Sequence, residues 1–331
     1  MADPRARPAL GAAEPHTVLG AGREFDVVRA LLARWGDLAR GVGDDAAVLD
    51  VPAGERLVVS TDASVEGVHF RRAWLTPEEI GWRAAASALS DLAAMGARPL
   101  AVVFAAAVPP HWRDAFPSVA DGVGAAVRAA GGVIAGGDLT AGRDLTLTLT
   151  VLGSAARPVT RAGARPGDAL YVTGALGGPV RALRAFLNAE TPAPAARARF
   201  ARPPARVSAG RWLAEHGARA LVDVSDGLAA DVGHIAAASG VRCVIEAEAI
   251  PRVPGATVAD ALGGGEEYEL ACAAPADLDV EACRRATGVA LTRIGRVEAC
   301  AAGLAPGVEV RAPGGALVDL PPGHDHFSRA C

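Results

Sequence analysis

The chain contains no lysine: all 33 of its basic residues are arginine. A Walker A loop needs a lysine on the β- and γ-phosphates, a protein-kinase fold needs its strand lysine, and Schiff-base chemistry needs a lysine amine. All three are excluded. Glutamine is also absent and Asn188 is the one asparagine, against an excess of Ala, Arg and Gly. Arginine therefore stands for lysine throughout, and no single arginine implies a function by its presence. The five cysteines form no C-x-x-C pair, which argues against a zinc site and fits a reducing compartment better than a disulfide framework. The first residues are rich in Ala, Pro and Arg without an apolar core, and the longest apolar run, 100–108, is too short to span a bilayer. These features predict a cytoplasmic protein. A net charge of −4 gives no electrostatic reason to expect nucleic acid or an anionic membrane as partner.

What is present fits two domains. A length of 331 residues with 51% hydrophobic and 21% charged composition supports a sizeable core. The pattern predicts a flexible leader over 1–22. An N-terminal domain over 23–154 follows, and a C-terminal domain over 155–331, with a link rich in Arg, Pro and Gly near 154–167. Helices are expected over 24–35, 77–95, 119–130, 179–188, 207–216 and 228–238. Strands are expected over 57–60, 100–108, 133–135, 145–152, 169–173, 220–224, 268–271 and 289–297. Residues 191–204, rich in Pro, Ala and Arg, read as a surface excursion. Mixed strands and helices in both halves give an α+β or mixed α/β class.

The acids lie beside glycines and at predicted strand ends. Asp44 and Asp45 follow Gly43, Asp62 closes Ser60-Thr61-Asp62, and Asp138 follows Gly136-Gly137. Asp223, Ser225 and Asp226 end another strand, and Glu266-Glu267 follow three glycines. Carboxylates there point into the crevice where α/β folds bind ligands, and glycine lets backbone approach a phosphate. Hard oxygen donors without Cys or His spacing suit Mg²⁺, which joins carboxylates to substrate phosphates. Each motif alone has a plainer reading. Asp226 reads also as an N-cap, Asp44-Asp45 as a turn, His69 as a polar loop residue, His324 as a tail residue and Arg161 as a surface charge. Asp91 is hardest to read plainly, because it sits among Ala84, Ala88, Leu89, Leu92 and Met95 and needs a partner if buried.

Taken in order, Gly43-Asp44-Asp45-Ala46-Ala47-Val48, Ser60-Thr61-Asp62, Glu66-Gly67-Val68-His69-Phe70, Leu89-Ser90-Asp91-Leu92-Ala93-Ala94-Met95-Gly96, Gly136-Gly137-Asp138, Asp223-Val224-Ser225-Asp226-Gly227-Leu228 and Gly264-Gly265-Glu266-Glu267-Tyr268-Glu269-Leu270 resemble the thiamine-monophosphate kinase family. That family belongs to the superfamily of aminoimidazole ribonucleotide synthetase. The resemblance implies a two-domain fold of that type, in a homodimer whose N-terminal strands form a shared barrel. It implies transfer of the ATP γ-phosphoryl group to thiamine monophosphate. Several Mg²⁺ ions would be held by Asp44, Ser60, Thr61, Asp62, Asp91, Asp138, Asp223 and Asp226. ATP would meet Gly137, Asp138, Arg161 and Ser225, and the thiamine phosphate would meet His69, Glu266 and His324. No separate acid or base is assigned, because the attacking group is already an anion.

The chain departs from the family pattern at Glu267, usually Asp, at Leu139, often Thr, and at Asp121, where a Tyr often lies near the adenine. His324 stands where an aromatic residue is common. Two other readings remain open. One is a hydrogenase-maturation carbamoyl dehydratase using the terminal Cys331 as carrier; the other is a non-catalytic sensor of ATP or thiamine phosphate. A selenophosphate synthetase would need a reactive residue near the N-terminus, where there is no cysteine.

Overall fold

The computed structural model describes residues 16, 19, 22–301 and 303–321. His324 and Cys331 lie outside the described residues, as does most of the expected leader.

The first half is built on a four-stranded sheet in the order β1-β4-β2-β3, from β1 (Arg56–Val65), β2 (Arg98–Val108), β3 (Val133–Ala141) and β4 (Thr146–Ala155). Helices α2 (Pro77–Ala94) and α3 (Phe116–Ala130) lie together on the sheet, and α1 (Arg23–Trp35) packs on α3. Helix α2 starts at a capping box: Thr76 and Glu79 satisfy each other's backbone N–H groups, with proline in the first turn. Its interior is alanine and leucine, so it is buried on nearly every side, with Leu89 and Leu92 fully enclosed.

The second half is a six-stranded mixed sheet in the order β10-β7-β9-β5-β8-β6. Its strands are β5 (Ala169–Thr173), β6 (Ala220–Asp223), β7 (Val241–Glu246), β8 (Leu270–Ala274), β9 (Leu291–Ala299) and β10 (Gly307–Arg311). Helices α7 (Leu228–Ser239) and α8 (Val258–Gly263) cover one face; α6 (Val207–Glu215) and α9 (Val280–Thr287) belong to a second core that includes Tyr171, Leu213, Cys272 and Cys283. Helix α2 also packs on α6 and β6 and so joins the two halves.

Three expectations need correction. The strand expected over 57–60 runs on to Val65, so Asp62 lies in mid-strand, paired opposite Leu149 of β4. The strand expected over 133–135 continues through Gly136-Gly137-Asp138 beside β2. Both extensions come from long-range pairing that local composition does not carry. Residues 191–204 are not a plain surface excursion. They contain α5 (Pro194–Ala201), which with α4 (Gly178–Leu187) sends Ala182, Ala196 and Phe200 into the N-terminal core.

Candidate active site

Alternation along β1 turns Ser60 and Asp62 toward α2, while Leu57, Val59 and Thr61 face outward. On α2, Ser87, Ser90 and Asp91 share one face at i, i+3 and i+4. Asp223, the last residue of β6, approaches from the other half. Three hydroxyls meet three carboxylates. Ser87 donates to Asp62 at 2.7 Å, Ser60 donates to Asp91 at 2.5 Å, and Ser90 donates to Asp223 at 2.8 Å. Burial pushes the Asp91 carboxyl up, opposed by the Ser60 hydroxyl, with Asp62 adding like-charge repulsion. Burial and then Asp91 push Asp223 up to about 7, against the Ser90 hydroxyl and the Arg161 charge. Oxygen donors that strain against one another in this way suit a hard divalent cation.

The turn after β6 is shaped by a residue the sequence reading did not select. One carboxylate oxygen of Asp231 accepts the backbone N–H groups of Ser225, Asp226 and Gly227 at 3.0, 3.1 and 3.1 Å. The N-cap position of α7 is Gly227, without a side-chain cap, so the N-cap reading of Asp226 is not met; Asp231 instead holds the turn that leads into the helix. Asp226 lies with Asp231 and His234, ligand atoms within 4.8 Å of one another. Burial raises the Asp231 carboxyl to about 7.

The glycine-rich segment lies against this turn. A Cβ on Gly265 would sit 2.4 Å from the Ser225 carbonyl, so only glycine fits. Glu266 donates its N–H to that carbonyl at 2.7 Å, and Tyr268 donates to the Val224 carbonyl at 2.9 Å. Glu266 and Tyr268 both adopt the left-handed region, φ 61° and 53°. Strain in non-glycine residues concentrates at functional sites. The Glu266 side chain is ion-paired with Arg83 of α2, whose guanidinium lies over the Phe200 ring at 4.2 Å. Burial, then Glu266, pushes the Tyr268 phenol up, with Asp62 and Asp223 adding to it.

Glu267 points away from this site. It is fully buried, accepts the N–H of Gly177 at the start of α4, and pairs with Arg199 of α5. Glu269 accepts from Arg206 at 2.7 and 2.6 Å and from Thr173 at 2.6 Å. Burial alone would raise its carboxyl, but the Arg206 hydrogen bonds and the Arg199 charge outweigh it and hold it low. Glu267 thus clamps the start of α4 to α5 from inside the protein.

His69 sits in a tight turn after β1, where Val68 and His69 donate to the Val65 carbonyl. The Val65 N–H donates to His69 Nδ1 at 3.1 Å, which places the proton of the neutral ring on Nε2. Glu66 braces the turn by accepting from Trp112 Nε1 at 2.7 Å.

Asp44, Gly137 and Asp138 belong to a second wall, around a cavity of about 380 Å³ lined also by Leu31 and Trp35 of α1 and by Phe104. Gly137 must be glycine, because a Cβ would fall 1.9 Å from the Phe104 carbonyl. Asp45 donates its N–H to Asp44 Oδ1 at 2.9 Å, and the chain bends at Asp45 and Ala46. Asp121, on α3, is bound through both carboxylate oxygens by Arg34 of α1.

The sequence-selected residues thus fall into two groups. Ser60, Asp62, Asp91 and Asp223 are brought together, with Arg161 acting on Asp91 and Asp223. The Thr61 hydroxyl is on the opposite face of β1, hydrogen-bonded with Thr150 at 3.1 Å, and so does not join this group. Asp62 and Asp138 occupy the two edge strands, with β4 and β2 between them. At ~4.8 Å per strand, about 14 Å of sheet separates them. Ser87, Ser90, Arg83 and Asp231 were missed. Serines one and four positions before Asp91 on a shared helix face were the one available signal.

Two family models match the chain: "AIR synthase related protein, N-terminal domain" over residues 43–155 and "AIR synthase related protein, C-terminal domain" over 165–303. The thiamine-monophosphate kinase of Salmonella typhimurium LT2 is 35% identical over 305 residues, covering 87% of this chain and 90% of that protein. The crystal structure of thiamine-monophosphate kinase from Stenotrophomonas maltophilia K279a superimposes with TM-score 0.77 at 35% identity, covering 88% of this chain and 96% of that one. A structure described as AaThiL complexed with AMPPCP and TMP gives TM-score 0.74 at 29% identity, covering 92% and 97%. Hydrogenase maturation protein HypE in complex with ATP gives TM-score 0.75 at 21% identity over 92% and 96%, a likeness of fold.

Proposed function

Because this chain belongs to the thiamine-monophosphate kinase family, we propose that it transfers the γ-phosphoryl group of ATP to the phosphate of thiamine monophosphate, yielding thiamine diphosphate and ADP. The observation that carries the proposal is the convergence of Asp62, Asp91 and Asp223, each held by a serine, beside the strained Glu266 turn. The structure of a relative of the same fold is described as complexed with AMPPCP and TMP.

The reaction joins two anions, and phosphoryl transfer is mostly positioning and charge neutralisation. The donor set is all oxygen and mutually repulsive, which fits Mg²⁺. Asp62, Asp91 and Asp223, with Asp226 and the Ser60-Thr61 backbone, would hold it, and bound Mg²⁺ would neutralise the phosphates. Arg161 adds positive charge beside Asp91 and Asp223. His69, with its proton on Nε2, and Glu266, oriented by Arg83, would hold the thiamine phosphate end. The acceptor phosphate needs no base, and transfer is in line without a phosphoenzyme.

The protein acts as a homodimer in this reading. The outward face of β1 exposes Leu57 and Val59, 50% and 54% accessible, on an open edge strand. A second copy closing the two sheets into a barrel would cover that face. It would also carry Asp44 and Asp138 of the partner subunit toward Asp62, joining the two walls into one site. The 23–154 and 155–331 division, the ATP role of the α1 cavity and a cytoplasmic location belong to the same proposal.

The test is incubation with Mg-ATP and thiamine monophosphate, free thiamine in parallel, and chromatography of the products. Thiamine diphosphate from the monophosphate alone is expected. ATP binding without product would favour the sensor reading; ATP cleavage without thiamine diphosphate, lost in Cys331→Ala, would favour the carbamoyl dehydratase.

A further inference from the structure

We propose that Ser87 and Ser90 of α2 are positioning residues that preset the carboxylates of Asp62 and Asp223 for cation binding. The inference rests on the cation-bridged reading above and adds two residues to it.

The pairing has a regular form. Each serine hydroxyl donates to the Oδ2 atom of one carboxylate: Ser87 to Asp62 at 2.7 Å and Ser90 to Asp223 at 2.8 Å. A donated proton on one oxygen fixes the plane of the carboxylate and leaves the other oxygen to a cation. It does so without adding charge. An arginine in that place would satisfy the carboxylate and compete with the ion for it. The two serines stand at i and i+3, so one rigid helix sets both carboxylates at once, and it sets them against Asp91 at the next position. Ser90 is fully buried and Asp223 nearly so. The Ser90–Asp223 bond also crosses from the first half of the chain to the second, fixing the β6 end of the site to α2. Ser87 shares its proton with the Ala84 carbonyl at 3.0 Å, the usual anchoring of a helical serine, so its rotamer is held even before Asp62 is engaged.

The role of a group that orients a ligand residue is read in metal affinity rather than in folding. Mn²⁺ is titrated into the full-length protein with a non-hydrolysable ATP analogue, following free ion by electron paramagnetic resonance. Melting in EDTA is measured beside it. Ser87→Ala and Ser90→Ala are each expected to weaken Mn²⁺ binding by about tenfold. Ser87→Thr, which keeps the hydroxyl, is expected to stay within about twofold of wild type. Alanine variants that lower the EDTA melting point but bind Mn²⁺ like wild type would show a structural role only and overturn the proposal. Equal weakening in Ser87→Thr and Ser87→Ala would overturn it too. If Ser90→Ala does not fold, the Ser87 pair decides. Should the wild type itself take up no Mn²⁺, the cation-bridged reading fails and this inference with it.

Discussion

Arg83 and Glu266 form an ion pair between the middle of α2 and the glycine-rich turn of the second half, with the cation 3% and the anion 30% exposed. The guanidinium also donates to the Phe200 carbonyl and covers the Phe200 ring. It therefore fixes Glu266, α2 and α5 together. Glu266 has little conformational freedom of its own at φ 61°. Arg83→Met should raise the KM for thiamine monophosphate well above tenfold, with a smaller effect on the KM for ATP. Breaking a buried pair costs about 3–5 kcal/mol, and the partial exposure of Glu266 puts the expected loss at the low end. Arg83→Lys should not restore function, because one ammonium cannot serve Glu266 and Phe200 at once. Steady-state kinetics in both substrates and thermal melting check this; unchanged KM in Arg83→Met would contradict it.

Asp91 stands between Ser60, Asp62 and Asp223, and burial raises its carboxyl. Asp91→Asn keeps the shape and still accepts from Ser60. It removes one charge from the cluster. Turnover should fall by roughly 10²–10³-fold or more, the scale of losing a main electrostatic contact to the transferring group. Melting in EDTA should stay at or above the wild-type value, since like-charge repulsion is relieved. Added Mg²⁺ should stabilise the variant less than the wild type. Near-normal turnover would contradict the proposed metal-ligand role of Asp91.

Glu267 gives a pH signature. Burial, reinforced by Glu269, pushes its carboxyl up to about 7, although Arg199 and the Gly177 N–H pull the other way. In the unfolded chain a glutamate titrates near 4.3. Folding therefore takes up a proton between those values. The contribution to stability is complete below the unfolded value and is lost as pH rises through about 7. Glu267→Gln cannot titrate, so its melting temperature should gain on the wild type from pH 5 to pH 8. A constant difference across that range would show that Glu267 stays ionised, held so by Arg199.

How much of this was legible depends on the range of the forces involved. Asp91 could be read from the sequence, because an acid inside an apolar helix needs a partner wherever the helix goes. The helix limits of α2 were also local, written in Pro77 of the first turn and the apolar run that follows, while the Thr76 cap is seen in the structure. The length of β1 was not, since its second half is held by β4, about 90 residues away in sequence. Helix α5 was misread for the same reason. Its arginines look like a solvated stretch in sequence, yet Arg197 pairs with Glu79, and Arg199 with Glu267 and Glu269. Only tertiary contact tells such arginines from surface charge. Glu267 stands out in the sequence as a departure from the family pattern, and the fold turns it into a buried clamp.

The separation of Asp62 from Asp138 leads to the most discriminating prediction. They lie on opposite edge strands of one sheet, too far apart to share a cation in one chain. If each site takes Asp62 from one subunit and Asp138 from the other, Asp62→Ala and Asp138→Ala are both inactive alone. In a mixed dimer one site carries both substitutions and the other carries neither. Equal amounts, unfolded and refolded together, give half mixed dimers by random pairing, so about a quarter of wild-type activity should return. Separately tagged subunits allow the mixed dimer to be purified, and it should then show about half the wild-type rate per dimer. If both residues serve within one chain, every site in the mixture carries one substitution and no activity returns.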